Sequence, residues 1–160
     1  MHRNFPPVTR ADTRLLILGS LPGAASLARG QYYANPRNQF WRLAGAVIGA
    51  DLIALDYRDR LETLLDAGVG LWDTVAQATR TGSLDAAIRD HRPSDLGALV
   101  ESLPALRAIA FNGGTSARIG RRTLGEVAGI ALIHLPSSSP AYTLPFEAKC
   151  AIWLALRAYL

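Results

Sequence analysis

The chain is poor in cysteine and in lysine, and each shortage removes a class of chemistry. Cys150 is the only cysteine among 160 residues, which excludes an internal disulfide, a zinc site built from several cysteines and an iron–sulfur cluster. Lys149 is the only lysine. It falls in the last predicted helix, which we expect to lie away from the ligand-binding loops, so a lysine nucleophile is not expected.

Long apolar runs are missing too. No stretch reaches the about 18 apolar residues that a membrane span needs, and residues 1–14 lack the apolar core of a signal peptide. We therefore expect a cytoplasmic protein. Hydrophobic residues make up 49% and charged residues 19% of the chain, as in globular proteins, and we expect a single domain over residues 1–160.

Positive charge is in excess but does not identify a partner. The net charge is +4, and all but one of the seventeen basic residues are arginine. A guanidinium pairs with two phosphate oxygens at once, which suits a nucleic acid. A genome rich in arginine codons would give the same excess, so the charge permits a nucleic-acid partner without demonstrating one.

Short apolar runs alternate with helical patterns along the chain. The predicted strands are 14–18, 69–72, 107–111 and 130–135, and the predicted helices are 38–48, 59–67, 94–102, 115–124 and 145–159. Ser94 is the predicted cap of its helix. Segment 79–92 is polar, and we predict an ordered excursion with a helical turn starting at Ser83 or Asp85. The alternation predicts an α/β fold, a three-layer α/β/α sandwich around a mainly parallel four-stranded sheet.

Polar residues follow each predicted strand. Gly19, Asp73, Asn112 and Pro136 come after the four strands, and in a parallel sheet these positions share the edge where ligands bind. The longest loop, 19–41, is rich in aromatic and amide side chains. Loops of this length are usually functional, although its aromatic residues would also serve to anchor it to the core.

Common catalytic and phosphate-binding motifs are absent from these loops. The chain has no GK[ST] phosphate loop, no G-x-G-x-x-G after the first strand and no G-x-S-x-G elbow, and its histidines do not have zinc-ligand spacing. The loops instead carry amides, hydroxyls, backbone N–H groups and aromatic rings, with Asp73 as the only carboxylate. Such a set suits a flat polar ligand and a developing negative charge.

Three motifs carry a family resemblance: GSLPG at 19–23, QYYANPRNQFW at 31–41 and LPSSSPA at 135–141. They resemble the uracil-DNA glycosylase superfamily, and most of all its hypoxanthine (deoxyinosine) branch, near the mismatch-specific uracil and thymine enzymes. The resemblance covers nearly the whole chain, and its P-x-N-x-F-W closure is the most specific part. It implies that family's fold and an enzyme of base excision repair. That enzyme flips a deaminated base from DNA and excises it by hydrolysis, with hypoxanthine as first choice and uracil as second.

The resemblance also implies roles in a base pocket. By its place in the closing motif, Tyr33 resembles the residue that stacks on the flipped base, and Asn112 resembles the amide that hydrogen-bonds the base edge. Backbone N–H groups around Gly19, Ser20 and Gly23 would hold the departing base as its anion.

A second set of residues is expected to contact DNA around the target nucleotide. Short hydroxyl side chains would hold the neighbouring phosphates, and these residues are Ser137, Ser138 and Ser139. A wedge from Pro140, Ala141 or Tyr142 would fill the space that the flipped base leaves.

Leu21 departs from the family pattern. The mismatch-specific uracil enzymes carry there an asparagine that positions the attacking water, and other relatives carry an aspartate. The hypoxanthine branch is similar to this chain, and there the asparagine of the closing motif takes that part. We therefore assign water positioning to Asn38, with Asp73 as the alternative, whose carboxylate would stabilise an oxocarbenium-like sugar. The plainer alternatives are that Asn38 caps its helix and that Asp73 caps a turn.

The remaining expectations concern products and partners. With no lysine in the loops a Schiff base with the sugar is not available, so the enzyme would be monofunctional and leave an abasic site. We expect no metal or cofactor, and a monomer. Two other functions stay open: a module that holds a damaged base in DNA without cleaving it, which Leu21 favours, and an α/β domain that binds a free nucleotide.

Overall fold

The computed structural model describes residues 1–80, 83–85 and 88–160. Along the chain, two strands are followed by three helices and three strands, and single helices and strands alternate after that. The strands are β1 (His2–Arg3), β2 (Leu15–Gly19), β3 (Val69–Asp73), β4 (Val75–Arg80), β5 (Ile88–Pro93), β6 (Ala108–Asn112) and β7 (Ala131–Leu135). The helices are α1 (Ala24–Arg29), α2 (Phe40–Ile48), α3 (Tyr57–Asp66), α4 (Leu96–Glu101), α5 (Gly114–Leu124) and α6 (Phe146–Trp153), and a 3-10 helix follows at Leu154–Tyr159.

The central sheet of the described residues has four parallel strands in the order β3-β2-β6-β7. Successive residues of a strand point to opposite faces, so β2 contributes to two cores. Leu15 and Ile17 pack with α2, α3 and α6, whereas Leu16 and Leu18 pack with α4 and α5. The predicted α/β fold, with helices on both faces of a parallel four-stranded sheet, is confirmed.

The sequence places most elements correctly and misplaces some of their ends. Three of the predicted strands end one residue early, because Gly19, Asp73 and Asn112 still belong to β2, β3 and β6, and three begin one residue early, at 14, 107 and 130. Helix α3 begins at Tyr57 rather than at residue 59, since the Asp56 carboxylate accepts from the Asp59 N–H and caps it. The last α-helix stops at Trp153 and continues as the 3-10 helix.

The predicted cap of α4 is wrong. Asp95 caps this helix, because its Oδ1 accepts a hydrogen bond from the Ala98 N–H at 3.1 Å. Ser94 is buried instead, and its hydroxyl donates to the backbone carbonyl of Asp73 at 2.7 Å. A tertiary contact therefore uses the serine that the local pattern assigned to the helix.

Segment 79–92 is also organised differently from the prediction. Strands β4 and β5 fall within or beside it and pair antiparallel in a second sheet of order β1-β4-β5. Most of β5 is exposed at the sheet edge, so it has no buried face and lacks the alternation that reveals a strand. The predicted helical turn, which would start at Ser83 or Asp85, falls partly on residues 86–87, outside the described residues.

The long loop 19–41 contains α1 and is anchored by aromatic residues. Tyr32 is buried, its hydroxyl donates to the carbonyl of Pro6 at 3.0 Å, and its N–H donates to the Tyr57 hydroxyl. Phe40 and Trp41 are buried in the same core. The anchoring role therefore holds for Tyr32, Phe40 and Trp41. No helix in the described part of the chain is long and apolar enough to cross a membrane.

Two glycine-to-alanine changes in helices should have opposite effects on stability. An alanine Cβ at Gly120 in α5 would lie 2.3 Å from the Phe111 ring, so Gly120→Ala should lower the free energy of unfolding by about 1–3 kcal/mol through overpacking. An alanine at Gly97 in α4 meets nothing within 4 Å, and Gly97→Ala should raise it by up to about 1 kcal/mol. Urea denaturation of both variants checks the pair, and equal effects would contradict this packing of α5 on β6.

Candidate active site

The loops that follow the four central strands line one cavity of about 580 Å³. Each residue that the sequence assigned to a site contributes to its lining: Gly19, Ser20, Gly23, Tyr33, Asn38, Asp73, Asn112, Ser137, Ser138, Ser139, Pro140 and Tyr142. The parallel sheet brings them together because its strands end at one edge. A shared cavity is what a common site requires, whereas the role of each residue stays a prediction.

Gly19 lets two polar side chains close on the floor of the cavity. It pairs with Asp73 in the register of β2 and β3. A Cβ at this position would lie 2.5 Å from Asp73 Oδ1, closer than real Cβ contacts, and 3.0 Å from the Tyr33 hydroxyl, tighter than most of them. Glycine is therefore the residue that this convergence of a carboxyl and a phenol requires.

Asp73 is a buried carboxyl whose charge is poorly compensated. It is 4% exposed, and its Oδ2 makes no hydrogen bond in the described structure. Burial, followed by the nearby charge of Asp85, raises its pKa to about 7, while Arg80 acts in the opposite direction. A carboxyl that changes charge near neutral pH in a cavity is typical of functional sites.

Arg80 is a buried cation that holds the first loop. Its guanidinium donates to the backbone carbonyls of Leu21 and Pro22, and it lies 3.5 Å from an oxygen of Asp85. Asp85 in turn accepts a hydrogen bond from the Ser20 hydroxyl at 2.5 Å, and burial raises the pKa of this second carboxyl. The GSLPG loop is thus tied to β4 and to the segment that follows it.

Sequence reasoning missed Asp85 as a site residue. Asp73 was expected to be the only carboxylate among the loops, and this is wrong, because Asp85 also lines the cavity. Its position depends on the contacts of Ser83 with Ala24 and of Asp85 with Ser20, and no local spacing in the sequence indicates these contacts. Leu21 is buried against Val75, Ala78 and Ile119, so its side chain serves packing.

Tyr33 stands at the cavity with one ring face already covered. Its ring stacks on Phe40, with centroids 3.9 Å apart and planes 8° from parallel, so a ligand base has only the other face on which to stack. Its φ is +53°, a left-handed conformation that disfavours bulky residues. Burial raises the pKa of the hydroxyl, which therefore stays a neutral donor.

Asn112 joins β6 to the loop after β7. Its Oδ1 accepts from the Ser138 N–H at 2.9 Å, and its Nδ2 donates to the Ser138 hydroxyl at 2.9 Å and to the Tyr33 hydroxyl at 3.3 Å. The amide hydrogens are thus engaged, and a second lone pair on Oδ1 remains for a base edge. The base-reading role of Asn112 stays a prediction, restricted to that lone pair.

The serine residues of the last loop are not equivalent. Ser138 is 1% exposed, and both its N–H and its hydroxyl bond to Asn112, so the predicted phosphate contact does not fit its hydroxyl. Ser137 and Ser139 are half-buried and bond within the loop, the Ser139 N–H donating to the Ser137 hydroxyl at 3.1 Å. The predicted phosphate contact is left to these two residues.

Asn38 lies just before α2, which begins at Phe40 rather than at the predicted residue 38. Its Oδ1 accepts a local hydrogen bond from the Phe40 N–H at 3.0 Å, but the cap position is Gln39, so the prediction that Asn38 caps the helix is wrong. The side chain also lines the cavity. The local bond fixes the carboxamide in place, and the second lone pair of its oxygen and its amide hydrogens remain for a ligand or a water.

Lys149 does not lie where the sequence predicted. It is 1% exposed on α6, its Nζ donates to the Ser139 carbonyl at 3.2 Å, and it lies 5.5 Å from the centre of the Tyr142 ring. The expectation that it would be away from the ligand-binding loops is wrong, because α6 packs back beneath the loop after β7. Burial lowers its pKa, but it is not among the residues that line the cavity.

Comparisons with known proteins converge on one family. The family model described as "Uracil DNA glycosylase superfamily" matches residues 6–159. A protein of Methanosarcina acetivorans named hypoxanthine DNA glycosylase is 42% identical over 139 residues, 87% of each chain. A protein of the same name from Methanosarcina barkeri is 43% identical over 111 residues, 69% of this chain and 70% of its own. A solution NMR structure from Methanosarcina acetivorans, provisionally described as a uracil DNA glycosylase, superposes with a TM-score of 0.87 at 39% identity and covers 98% of this chain and 97% of its own.

Asp73→Asn should stabilise the protein at pH 8. The folded-state pKa of about 7 lies above the ordinary 3.8, so folding favours the protonated carboxyl. The stability that this carboxyl contributes is fully present below about pH 4. It decreases as the pH rises and is lost once the pH passes about 7, which lowers the free energy of unfolding by up to roughly 4 kcal/mol. Asparagine avoids the buried charge and leaves Arg80 paired with Asp85.

Urea denaturation at pH 5 and pH 8 measures this effect, with the exposed Asp51→Asn as the control. We expect the gain of Asp73→Asn over wild type to be larger at pH 8 than at pH 5, and Asp51→Asn to show no such difference. An Asp73→Asn protein no more stable than wild type at pH 8 would show that the carboxylate is well compensated in the folded state.

Proposed function

This chain belongs to the uracil DNA glycosylase superfamily, and from that premise we propose that it is a monofunctional DNA glycosylase that excises hypoxanthine from deoxyinosine in DNA. Uracil is the second candidate base. The observation that carries the proposal is that all three family motifs meet in one cavity with an aromatic face, amides and a buried carboxyl. The relatives named hypoxanthine DNA glycosylase support the choice of base.

The target base must leave the duplex to reach this cavity. Enzymes that act on a base extrude its nucleotide and hold it by stacking and by hydrogen bonds to its edge. The free face of the Tyr33 ring is the stacking platform in this proposal, supported from behind by Phe40. Asn112 then reads the base edge with the remaining lone pair of its side-chain oxygen, while its hydrogen bonds to Ser138 hold that oxygen in place.

Hydrolysis requires a water molecule aimed at C1′ of the sugar. Asn38 positions it, since its carboxamide is already oriented by the bond to the Phe40 N–H. The bond from C1′ to the base nitrogen breaks, and its electron pair leaves with the base. The water oxygen bonds to C1′, and its proton neutralises the departing base. The ionised Asp73 carboxylate stabilises the positive sugar during this step.

The departing base carries negative charge, and the GSLPG loop supplies donors for it. Arg80 binds the carbonyls of Leu21 and Pro22. In a trans peptide the C=O and the following N–H point in opposite directions, and the described structure has no cis peptide bond. The Gly23 N–H therefore points away from Arg80, and in this proposal it binds the anion together with the Ser20 N–H. Gly19 is a ladder residue of β2, paired with Asp73 of β3, so its N–H is directed at the sheet and its contribution is the space that it leaves. Fixed donors of this kind stabilise a developing anion with little reorganisation.

The single lysine, Lys149, decides whether the enzyme can also cleave the DNA strand. A Schiff base with the sugar needs an accessible amine, and the Lys149 ammonium is enclosed beneath the last loop. We therefore propose hydrolysis alone, with an abasic site left in the strand. The second candidate function is a module that holds the flipped base without turnover, which the packing role of Leu21 favours because no polar group stands at that position.

Oligonucleotides that carry one deoxyinosine, one deoxyuridine or no damaged base test the proposal. We expect strand scission of the deoxyinosine substrate only after alkali, because the enzyme leaves an intact abasic site. Scission without alkali would contradict the monofunctional mechanism, and cleavage of deoxyuridine alone would make uracil the substrate. Binding without cleavage of any strand would favour the module without turnover.

Asn38→Ala should lower turnover on the preferred substrate by at least about a hundredfold, the scale of positioned proton-transfer and water-activating groups. Binding of DNA should change little, since the aromatic platform and the serine loop remain. Asn35→Ala is the matched control, because Asn35 Oδ1 makes a similar local bond to the Arg37 N–H. Single-turnover rates and binding titrations of both variants measure the effect, and full turnover by Asn38→Ala would remove this residue from the mechanism.

A further inference from the structure

We propose that Leu84 is a second apolar wedge, which enters the DNA base stack on the side of the cavity opposite Tyr142. The inference rests on the proposed function, because it needs DNA as the substrate. Nothing in the sequence pattern pointed to Leu84. The motifs place a wedge only in the loop after β7, at Pro140, Ala141 or Tyr142.

Exposed apolar side chains single out two residues at the cavity. The large hydrophobic residues exposed in the described structure are Met1, Ile53, Leu84, Tyr142 and Ile152. Only Leu84 and Tyr142 of this set line the cavity, with 57% and 48% of their surfaces exposed. Scattered exposed apolar residues are ordinary on a protein surface, but two at one cavity mouth indicate a surface that contacts something apolar.

Hydrogen bonds on both sides of Leu84 hold it outward. The Ser83 hydroxyl accepts from the Ala24 N–H at 2.9 Å, and Asp85 accepts from the Ser20 hydroxyl at 2.5 Å. Both bonds tie the flanking residues to the first loop of the cavity. Leu84 is in none of the hydrophobic clusters of the described residues, so its exposed position does not serve packing.

The elements of the fold place the two side chains on different sides of the cavity mouth, which we call its two lips. The residues on both sides of Leu84 bond to Ser20 and Ala24, which follow β2, whereas Tyr142 follows β7 at one edge of the central sheet. Two strand spacings separate β2 from β7, about 10 Å at roughly 4.8 Å each. Asn112, at the end of β6, lies between these two strands. A nucleotide that enters the cavity therefore passes between two apolar lips.

This arrangement matches the physical demand of base flipping. Extruding a base leaves a gap in the stack, and apolar side chains that enter between base steps stabilise the opened duplex. With Tyr142 at one lip, Leu84 contacts the base step on the other side of the target nucleotide. A single-stranded substrate has no paired stack to open, so the wedge matters for duplex DNA and much less for a single strand.

The test compares one deoxyinosine oligonucleotide as a duplex and as a single strand. For Leu84→Ala we expect the ratio of kcat/KM on the duplex to kcat/KM on the single strand to fall about tenfold, the scale set by the apolar contact that truncation removes. Leu84→Met, which keeps a long apolar side chain, should restore the ratio. Ile53→Ala is the matched control, since Ile53 is similarly exposed, at 51%, but does not line this cavity.

A second readout does not depend on turnover. With 2-aminopurine placed next to the deoxyinosine, the wild-type protein should raise the fluorescence of the duplex by unstacking the neighbouring base, and Leu84→Ala should raise it less. The thermal midpoints of the wild-type, Leu84→Ala and Ile53→Ala proteins should agree, because neither residue is buried. A Leu84→Ala protein with wild-type fluorescence and an unchanged ratio would overturn the wedge.

Other outcomes separate this inference from the proposed function. If the wild-type protein cleaves neither form of the deoxyinosine substrate, the proposed function fails. If it cleaves both forms and Leu84→Ala lowers both rates equally, the function stands and the wedge is wrong. A wild-type enzyme that acts only on single strands would also overturn the wedge, because it never opens a stack.

Discussion

Gly19 and Asp73 lie side by side at the ends of β2 and β3. Because Gly19 has no side chain, the carboxyl of Asp73 fits against it. The Tyr33 hydroxyl also lies against Gly19, 3.0 Å from where a Cβ on this residue would be. The parallel register of the two strands makes this contact unavoidable. Burial at this point keeps the pKa of Asp73 about 7. A neutral side chain would be more favourable there, so the carboxyl is retained at the expense of stability, as is common at functional sites.

The small antiparallel sheet supports the site from outside the central fold. It carries Arg80, a buried cation that lies 3.5 Å from an Asp85 oxygen and whose charge lowers the pKa of Asp73, and it is followed in the chain by Ser83–Asp85. Arg80 also orients the peptide groups of the GSLPG loop through the carbonyls of Leu21 and Pro22. Removing Arg80 would leave the carbonyls of Leu21 and Pro22 and the carboxylates of Asp73 and Asp85 without a compensating positive charge. Sheet, loop and cavity therefore form one electrostatic unit, in which the charge of each member sets the charge state of the others.

Sequence patterns predicted some features of the site well and others poorly, for identifiable reasons. The central strands were visible because they are buried on both faces and read as continuous apolar runs. Strand β5 was not visible, since an exposed edge strand has no apolar face. Lys149 was placed wrongly because the position of α6 beneath the last loop depends on how a helix packs. Asp85 was passed over because its partners, Ser20 and Arg80, come from other segments of the chain.

The sequence by itself determined the α/β alternation, the order of the central elements and the family, because burial and motif chemistry are written locally in residue types. It also determined which loops meet, since the carboxyl ends of parallel strands share an edge. Only the tertiary structure decided how the meeting side chains are used. Asn112 forms hydrogen bonds with Ser138, and Ser94 forms one with the Asp73 carbonyl. One face of the Tyr33 ring packs on Phe40, and Leu84 is held outward. Such choices depend on distances between segments far apart in the chain, and residue types alone do not contain those distances.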